Sequence, residues 1–336
     1  MTERRFPRTA ITFVALIALF LVASSTAPST LYPIEPRPLR RLVSESQFIV
    51  TAKVTSPDAK AIRNDQFATD VVLEIDEVLK GKLDTKRIPQ TNNLGMICPA
   101  PARYDVDTRV LAFLDWEKEY GFTTHALSYG AKALDDAAMK TYLERVKEEL
   151  AILVMTDATA QRKAQVEWLV KCCEDPATRW EGAFDLAPRG DPITRMFDGI
   201  FLDGRAASST TPECKFDEGF ARELSDPQRQ RLRDAWYASK RFDHGELCLD
   251  ELFLADRDPK ALAWFVARLR DALKLREGDD DEDDTYDLLQ RLVRRDDRPV
   301  VAALAKKFSE SLGNFSLHSE LLPYRVKLLS DLLALY

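Results

Sequence analysis

Three segments decide the fold: Phe48-Ile-Val-Thr-Ala-Lys-Val54, Val71-Val-Leu-Glu-Ile-Asp-Glu-Val-Leu-Lys-Gly81 and Arg109-Val-Leu-Ala-Phe-Leu114. Apolar side chains alternate in the first two, with the period of two that is typical of a half-buried strand. In the second, the alternation breaks at Glu77-Val-Leu79, which predicts a bulge or a strand end. The third is apolar on both faces, as in a central strand that is covered on both sides. A β-rich block from Gln47 to Asp115 is therefore predicted.

Further strands and helices are predicted around this block. Arg87-Ile-Pro89 has the composition of a short strand, and Tyr120 to Tyr129 that of one more. Asn92-Asn-Leu-Gly95 is typical of a turn. From Asp135 the apolar residues recur at helical spacing behind an Asp N-cap: Met139, Tyr142, Leu143, Val146 and Leu150. This helix is expected to cover the β block.

These segments form an ordered set: the short helix Leu39-Arg-Arg-Leu-Val43, Ile-Val-x-Ala-x-Val, Val-x-Leu-x-Ile-x-x-Val-Leu-Lys-Gly, Cys98-Pro-Ala-Pro101, Tyr104 and Arg-Val-Leu-Ala-Phe-Leu. The set resembles the netrin-like, TIMP-like OB-barrel domains of exported bacterial proteins, over residues 39–153. The resemblance implies a small Greek-key β-barrel with a capping helix. TIMP-like inhibitors chelate the zinc of their target through a Cys at the mature N-terminus. This chain has no Cys there, so the resemblance implies the fold without that mechanism.

The N-terminus has the pattern of a secretory signal peptide over residues 1–25. Small residues follow an apolar run from Ala10 to Ala23, and cleavage is expected near Thr26. Three arginines precede the run: Arg4, Arg5 and Arg8. The run is short for a bilayer span, which needs roughly 20 residues, and a single-span anchor is the alternative. A Pro-rich segment, 26–38, follows. We expect an exported protein, periplasmic or extracellular, with no stable membrane span after cleavage.

Length and charge limit the classes of function. At 336 residues and 45% hydrophobic content the chain is long enough for two domains. The formal net charge is −7, and Lys and Arg are interleaved with Asp and Glu. A nucleic-acid-binding surface would need a basic stripe, so no nucleic-acid partner is expected. The fold class predicted is multi-domain β + α, an OB-like barrel and then an all-α domain over 157–336.

Four segments of the second half open with an Asp close before a Pro: Asp175-Pro176, Asp226-Pro227, Asp258-Pro259 and Asp297-Arg-Pro299. The interpretation is a helix start, with Asp as the N-cap and Pro in the first helical position. The segments resemble HEAT-like helical pairs, although ordinary capping of unrelated helices explains them as well. Core packing is predicted for four tryptophans and one helix face: Trp168, Trp180, Trp236, Trp264, Leu262, Phe265, Val266, Leu269 and Leu273. Pro188 to Glu223 is expected to be an irregular connection.

Cysteines are the first candidate site residues. Export favours two structural disulfides, which would join Cys172 and Cys173 to Cys214 and Cys248 in either pairing. The alternative is a zinc site with Cys172, Cys214, His244 and Cys248 as ligands; free thiols are a third possibility. Cys98 is interpreted as a buried structural thiol, with a nucleophile paired with His125 as the alternative.

No catalytic or cofactor-binding residue is predicted. The three histidines, His125, His244 and His318, lie in no local nucleophile motif, and the chain has no P-loop or Rossmann glycine pattern. The acidic stretch Asp279–Asp284 is interpreted as a solvated loop, because the ligand spacing of an EF-hand is missing. A calcium or cationic-partner site is the alternative for it.

The predicted function is that of an exported, non-enzymatic protein-binding module of the cell envelope, whose partner is another envelope or extracellular protein. This hypothesis relies on an architecture that often serves as an interaction surface and on the lack of catalytic spacing. A protease inhibitor of TIMP-like fold without N-terminal Cys chelation is one alternative. An envelope hydrolase that uses carboxylates between the two domains is the other.

Overall fold

The computed structural model describes residues 36–57, 68–93, 101–191, 217, 219–239, 243–254, 259–272, 282–312 and 318–336. The predicted signal peptide, Cys98 and Cys214 therefore lie outside the described residues. Within the described residues, no helix is both long enough and apolar enough to cross a bilayer.

The described residues form a β part followed by a helical part, as the sequence predicted. The strands are β1 (Phe48–Thr55), β2 (Ala68–Lys80), β3 (Arg87–Asn93), β4 (Arg109–Glu117), β5 (Gly121–Thr124) and β6 (Ala131–Ala133). The helices are α1 (Leu39–Glu45), α2 (Asp136–Leu153), α3 (Ala158–Glu174), α4 (Arg179–Leu186), α5 (Gly219–Arg222), α6 (Asp226–Ala238), α7 (His244–Leu252), α8 (Pro259–Ala272), α9 (Glu282–Arg295), α10 (Pro299–Leu312) and α11 (His318–Leu333).

The strands form a nearly closed, barrel-like antiparallel sheet in the order β3-β2-β1-β4-β5, with β6 also paired to β4. The break predicted in the second strand is a bulge rather than an end. Thr51 pairs with Glu77 and Ala52 pairs with Ile75, so one residue of β2 has no partner on β1. A second register shift lies between Ile49 and Val50, and β2 continues to Lys80.

Both faces of the sheet are covered, which explains why β4 is apolar from Val110 to Leu114. Val50, Ala52 and Val54 of β1 are buried in the barrel interior. Ile49 and the alternate residues of β4 are buried on the other face, in a core that also contains residues of α1 and α2. That core continues through α3 and α4 into the later helices. The β part and the helical part are therefore packed against each other through one apolar cluster.

Two predictions in the β part are wrong. Tyr120–Tyr129 is not one strand, because β5 ends at Thr124 and a 3-10 turn covers Leu127–Gly130. Ala126 and Leu127 have positive φ angles of 53° and 55°, which a continuous strand does not allow. Asn92 lies in β3 rather than in a turn. Its buried side chain bonds both the N–H and the carbonyl of Tyr104, at 2.8 Å each, so it substitutes for a main-chain partner.

The predicted helix starts are partly corrected. Asp175 does not cap a helix: it ends α3, and its Oδ1 accepts from Ala177 N at 2.9 Å in a local turn. The N-cap of α4 is Thr178. At α6 the N-cap is Ser225, which forms a capping box with Gln228, so the Asp-Pro pair lies one position further into the helix.

Prolines at the first helical position are confirmed at α8 and α10, which begin at Pro259 and Pro299. Asp258 lies outside the described residues. Glu282–Asp284, the end of the predicted acidic loop, lie inside α9, and the preceding acidic residues are outside the described part.

The predicted tryptophan packing is confirmed where the side chains are buried. Trp168, Trp236 and Trp264 belong to the core. Trp180 is half-buried, and its Nε1 donates to Asp191 Oδ2 at 2.8 Å. On α8 the predicted face is buried at Phe265, Val266 and Leu269 and half-buried at Leu262, whereas Leu273 lies outside the described residues.

The Lys80-Gly81 pair has a structural role in joining α1 to the sheet. Lys80 Nζ donates to three carbonyls at the C-terminal end of α1: Val43 (2.6 Å), Ser44 (3.1 Å) and Ser46 (2.6 Å). A cation is favoured there by the helix dipole. Gly81 has a φ of 83°, and a Cβ on it would lie 2.5 Å from Phe48 Cδ1.

Replacing Gly81 by alanine is expected to lower the free energy of unfolding by about 2–3 kcal/mol, because left-handed backbone strain and overpacking add. Gly121→Ala is the matched control. Gly121 also has a positive φ, of 77°, but its Cβ would meet only Trp116, at 3.7 Å. The free energy of unfolding of the control should therefore fall by about 1 kcal/mol. Urea denaturation measures both losses, and equal losses would contradict the steric part of this explanation.

Candidate functional site

The candidate site is a cavity of about 790 Å³ on the barrel, between β3 and β5, which we name the seam groove. It is lined from β2, β3, β5 and the connections beside them. The lining residues are Pro57, Asp70, Val71, Val72, Arg87, Pro89, Gln90, Thr91, Pro101, Ala102, Tyr120, Phe122, Thr123, Thr124 and Leu127. Three prolines and two aromatic residues contribute to this lining, with one charge of each sign.

The edge of β5 directs main-chain groups into the groove. His125 N donates to Phe113 O at 2.9 Å, so these two residues form a hydrogen-bonded pair at the end of the β4–β5 ladder. Hydrogen-bonded and non-bonded pairs alternate along an antiparallel ladder. Phe122 and Thr124 therefore direct their N–H and C=O groups away from β4, towards β3.

The edge of β3 is interrupted by a proline. Ile75 N donates to Lys86 O at 2.8 Å, in register with the β2–β3 ladder. By the same alternation, the main-chain polar groups of Arg87, Pro89 and Thr91 point away from β2, towards β5. Pro89 has no N–H, so β3 offers an incomplete edge for pairing. A proline on an edge strand also guards against uncontrolled strand addition.

Side chains hold the two edges together where the main chain does not pair. Gln90 Nε2 donates to Phe122 O at 3.0 Å. The hydroxyls of Tyr104 and Thr124 lie 2.7 Å apart, and burial raises the pKa of Tyr104. These contacts fix the spacing of β3 and β5, and Gln90, Phe122 and Thr124, which make them, also line the groove, so the groove is preformed.

An aromatic cluster borders the groove on the β4–β5 hairpin. The ring of Phe122 contacts Trp116 at 4.8 Å and Phe48 at 5.4 Å between centroids, both edge-on. Tyr120 is 69% exposed and Trp116 is 51% exposed. Exposed aromatic side chains beside a concave surface are typical of interaction sites.

Three of the four cysteines predicted as disulfides, Cys172, Cys173 and Cys248, lie in the helical core. Cys172 and Cys173 are free cysteines with no exposed surface, and burial raises the pKa of both thiols. Cys248 is also buried, on α7. Cys214 lies outside the described residues, so the predicted pairing of the four cysteines stays a prediction.

The alternative zinc ligands are only partly described. His244 is half exposed, and its Nδ1 lies 3.4 Å from Asp191 Oδ2. Within the described residues, no group of three or more His, Cys, Asp or Glu side chains could hold a metal ion. Cys214, one of the four proposed ligands, is not among those residues.

His125 is held between two carboxylates. Its Nδ1 lies 2.6 Å from Asp115 Oδ2, and its Nε2 lies 3.4 Å from Glu45 Oε2. This arrangement ties the C-terminal end of α1 to β4. Cys98, considered above as a nucleophile for His125, lies outside the described residues. Of His318, the structure describes only the backbone, at the start of α11.

Three carboxylates lie on the helices that cover the β part, Glu149 on α2 and Glu181 and Asp185 on α4; Glu149 and Asp185 both act on Arg40, and the hydrolase alternative stays a prediction. All three are buried, with exposures of 0%, 2% and 7%. Glu181 accepts from Leu39 N, Lys132 Nζ and Tyr142 Oη, at 2.6, 2.6 and 2.8 Å. These carboxylates are thus enclosed, and Glu181 is already saturated with protein donors.

The seam groove was not predicted from the sequence; the signal that could have indicated it is Pro89, because a proline within a strand favours an edge position. The predicted strand is confirmed at Phe122 and Thr124, which lie in β5 and also line the groove, whereas Tyr120 lies in the turn before it. No family model, curated protein or solved structure matches this chain, and its candidate site is therefore defined by geometry alone.

Proposed function

We propose that this chain is an exported, non-enzymatic binding module of the cell envelope that holds an extended segment of a partner protein in the seam groove. One observation carries the proposal. Two strand edges that do not pair with each other face a preformed groove, whose lining is largely proline, aromatic and threonine side chains. Grooves of this kind bind extended peptides, through main-chain hydrogen bonds and pockets for side chains.

The geometry favours one side of the groove for pairing. Pro89 interrupts the edge of β3, so the bound segment would bond to β5, at the N–H of Phe122 and at the main chain of Thr124, since Phe122 O already accepts from Gln90. Its side chains would then lie against Tyr120 and the prolines that line the groove. The lining carries one cation, Arg87, and one anion, Asp70. This balance gives no basic track for phosphates, which supports a protein partner over a nucleic acid.

The architecture supports the same assignment. We propose a netrin-like, Greek-key OB barrel for residues 39–153, and the strand order, with β3 and β5 as the two facing edges, supports it. We propose HEAT-like helical pairs for the second part, and contacts between consecutive helices at α8–α9 and α10–α11 support this. The basic and apolar N-terminus supports export.

Site-specific photo-crosslinking tests the proposal. A photoreactive phenylalanine in place of Tyr120 should capture one dominant protein in the native envelope fraction. Tyr324 is the control position, since it is also an exposed tyrosine, 45% accessible, but lies on α11. Equal capture from both positions, or capture from neither, would contradict a site in the groove. A captured protease would instead favour the inhibitor alternative.

Replacing Tyr120 by alanine is expected to weaken binding of the captured segment by about 10-fold or more, as loss of an aromatic contact does at the centre of an interface. The measurement is fluorescence anisotropy with a peptide from the crosslinked region of the partner. Tyr324→Ala should leave the affinity unchanged. Because Tyr120 is mostly exposed, neither variant should change the thermal unfolding temperature, and a loss of affinity accompanied by unfolding would not count as support.

A further inference from the structure

A buried carboxyl group without a partner lies where α1, α2, α3 and α4 meet. Glu149 of α2 has no exposed surface. Within the part of the chain that the structure describes, neither of its carboxylate oxygens has a hydrogen-bond partner. Buried polar groups are nearly always bonded, so an exception calls for a physical explanation.

Among the described residues, the cation that lowers the pKa of Glu149 is Arg40, which is already bound to another carboxylate. Arg40 of α1 donates to Asp185 of α4 through Nε at 2.6 Å and Nη2 at 3.3 Å. Gln165 of α3 is the other polar side chain beside Glu149; its amide lowers the pKa of Glu149 but forms no hydrogen bond of regular geometry with either oxygen. Two buried carboxyl groups therefore share one guanidinium, which can neutralise only one of them.

We propose that one proton on Glu149 controls the packing of α1 and α2 against α3 and α4. With the proton in place, the junction contains one ion pair and one neutral acid, and it is closed. Without the proton, a second buried anion lies beside Asp185 with no cation left to compensate it, and the junction opens more often. The device would let an exported protein respond to the pH outside the cytoplasm.

The sign and the pH window follow from the titration of this group. Burial raises the pKa of Glu149 from 4.5 to about 7, and Asp185 adds to the increase against the opposing effect of Arg40. In the opened state the pKa returns towards 4.5. The closed state therefore binds the proton more tightly, and its stability is complete below pH 4.5 and is lost as the pH rises towards 7.

Helix α5 packs against the same junction. Phe220 lies between the guanidinium groups of Arg40, 5.0 Å from its ring centroid, and Arg162, at 3.6 Å. Arg162 also pairs with Asp217 and Glu223, at 2.6 and 2.8 Å. Opening around Arg40 is therefore expected to loosen α5 together with α1.

Amide hydrogen exchange on the full chain tests the proposal. After correction for intrinsic exchange rates, protection of amides in α1 and α4 should fall roughly 50- to 100-fold between pH 5 and pH 8. Glu149→Gln, which imitates the protonated acid, should remove most of this fall. Glu148→Gln is the matched control, because Glu148 is the neighbouring residue but partly exposed and paired with Lys171 at 3.1 Å. It should leave the fall unchanged.

A second acid must be separated from this effect. Glu246 is also fully buried, and burial together with Asp243 raises its pKa to about 7 despite an ion pair with Arg179 at 2.6 Å. If Glu246→Gln removes the pH dependence of α1 and Glu149→Gln does not, the proposal is wrong. Carbon-13 NMR titration of the glutamate carboxyls in the unmodified protein gives a test that needs no variant. A Glu149 midpoint near 4.5 would overturn the proposal.

Discussion

Replacing Asp250 by alanine is expected to lower the free energy of unfolding by about 3–5 kcal/mol, because two buried guanidinium groups would lose the carboxylate that they share. Asp250, on α7, has no exposed surface. Its Oδ2 lies 2.5 Å from Arg291 Nη1, and its Oδ1 lies 2.5 Å from Arg295 Nη2. Arg291 also donates to the carbonyls of Leu247 and Gly190, at 3.0 and 3.2 Å. Asp250 thus fixes α7 against α9 and against the turn after α4.

Asp331→Ala is the matched control for this prediction. Asp331 pairs with Lys327 at 2.6 Å, a similar distance, but the two side chains are 46% and 70% exposed. An exposed pair contributes about 0–1 kcal/mol, so this variant should be almost neutral in urea denaturation. If both variants lose the same free energy, burial is not what gives the Asp250 cluster its effect.

A triple replacement separates the net contribution of the Asp250–Arg291–Arg295 cluster from the penalty of leaving two arginines unpaired. Exchanging Asp250, Arg291 and Arg295 together for apolar residues of similar volume removes all three charges at once. Desolvation of buried ions largely cancels their attraction, so the triple variant is expected to be more stable than Asp250→Ala. If the triple variant is as unstable as Asp250→Ala, the three side chains also stabilise the core by packing. Arg295 is an example, since its guanidinium lies 4.9 Å from the ring centroid of Phe265.

The β part could be predicted from the sequence because its signals are local. Alternation placed Val50, Ala52 and Val54 on one face, and those residues are buried together. The interrupted alternation before Lys80 corresponds to real register shifts. Apolar residues on both faces of β4 required two covering layers, and the structure has the barrel interior on one side and helices on the other.

What could not be predicted depends on residues that are distant in the sequence. Asp175 and Asp226 have the local composition of an N-cap, but Thr178 and Ser225 occupy those positions. The seam groove arises because β3 and β5 meet without pairing, which depends on the closure of the whole sheet. Buried charges are the clearest case. Nothing near Glu149 in the sequence distinguishes it from Glu148, yet one is enclosed by three other helices and the other is partly exposed.

Replacing Glu181 by alanine is expected to lower the free energy of unfolding by about 3 kcal/mol, because it removes the acceptor shared by three separate elements of the β part and its covering helices. Glu181 lies on α4, is 2% exposed, and bonds the first N–H of α1, the ammonium of Lys132 on β6 and the hydroxyl of Tyr142 on α2. Its loss would leave these donors buried or half-buried without their acceptor.

Glu77→Ala tests whether linkage between elements or burial is responsible. Glu77 on β2 pairs with Lys147 on α2 at 3.1 Å, so it also joins the sheet to a covering helix, but the two side chains are 48% and 55% exposed. Solvent already screens this pair, and its loss should cost under about 1 kcal/mol. Denaturant titration of both variants should therefore separate them by about 2 kcal/mol or more. If both variants lost the same free energy of unfolding, a contact between sheet and helix would be equally stabilising at the surface and in the interior. The cost of leaving three desolvated donors around Glu181 argues against that outcome.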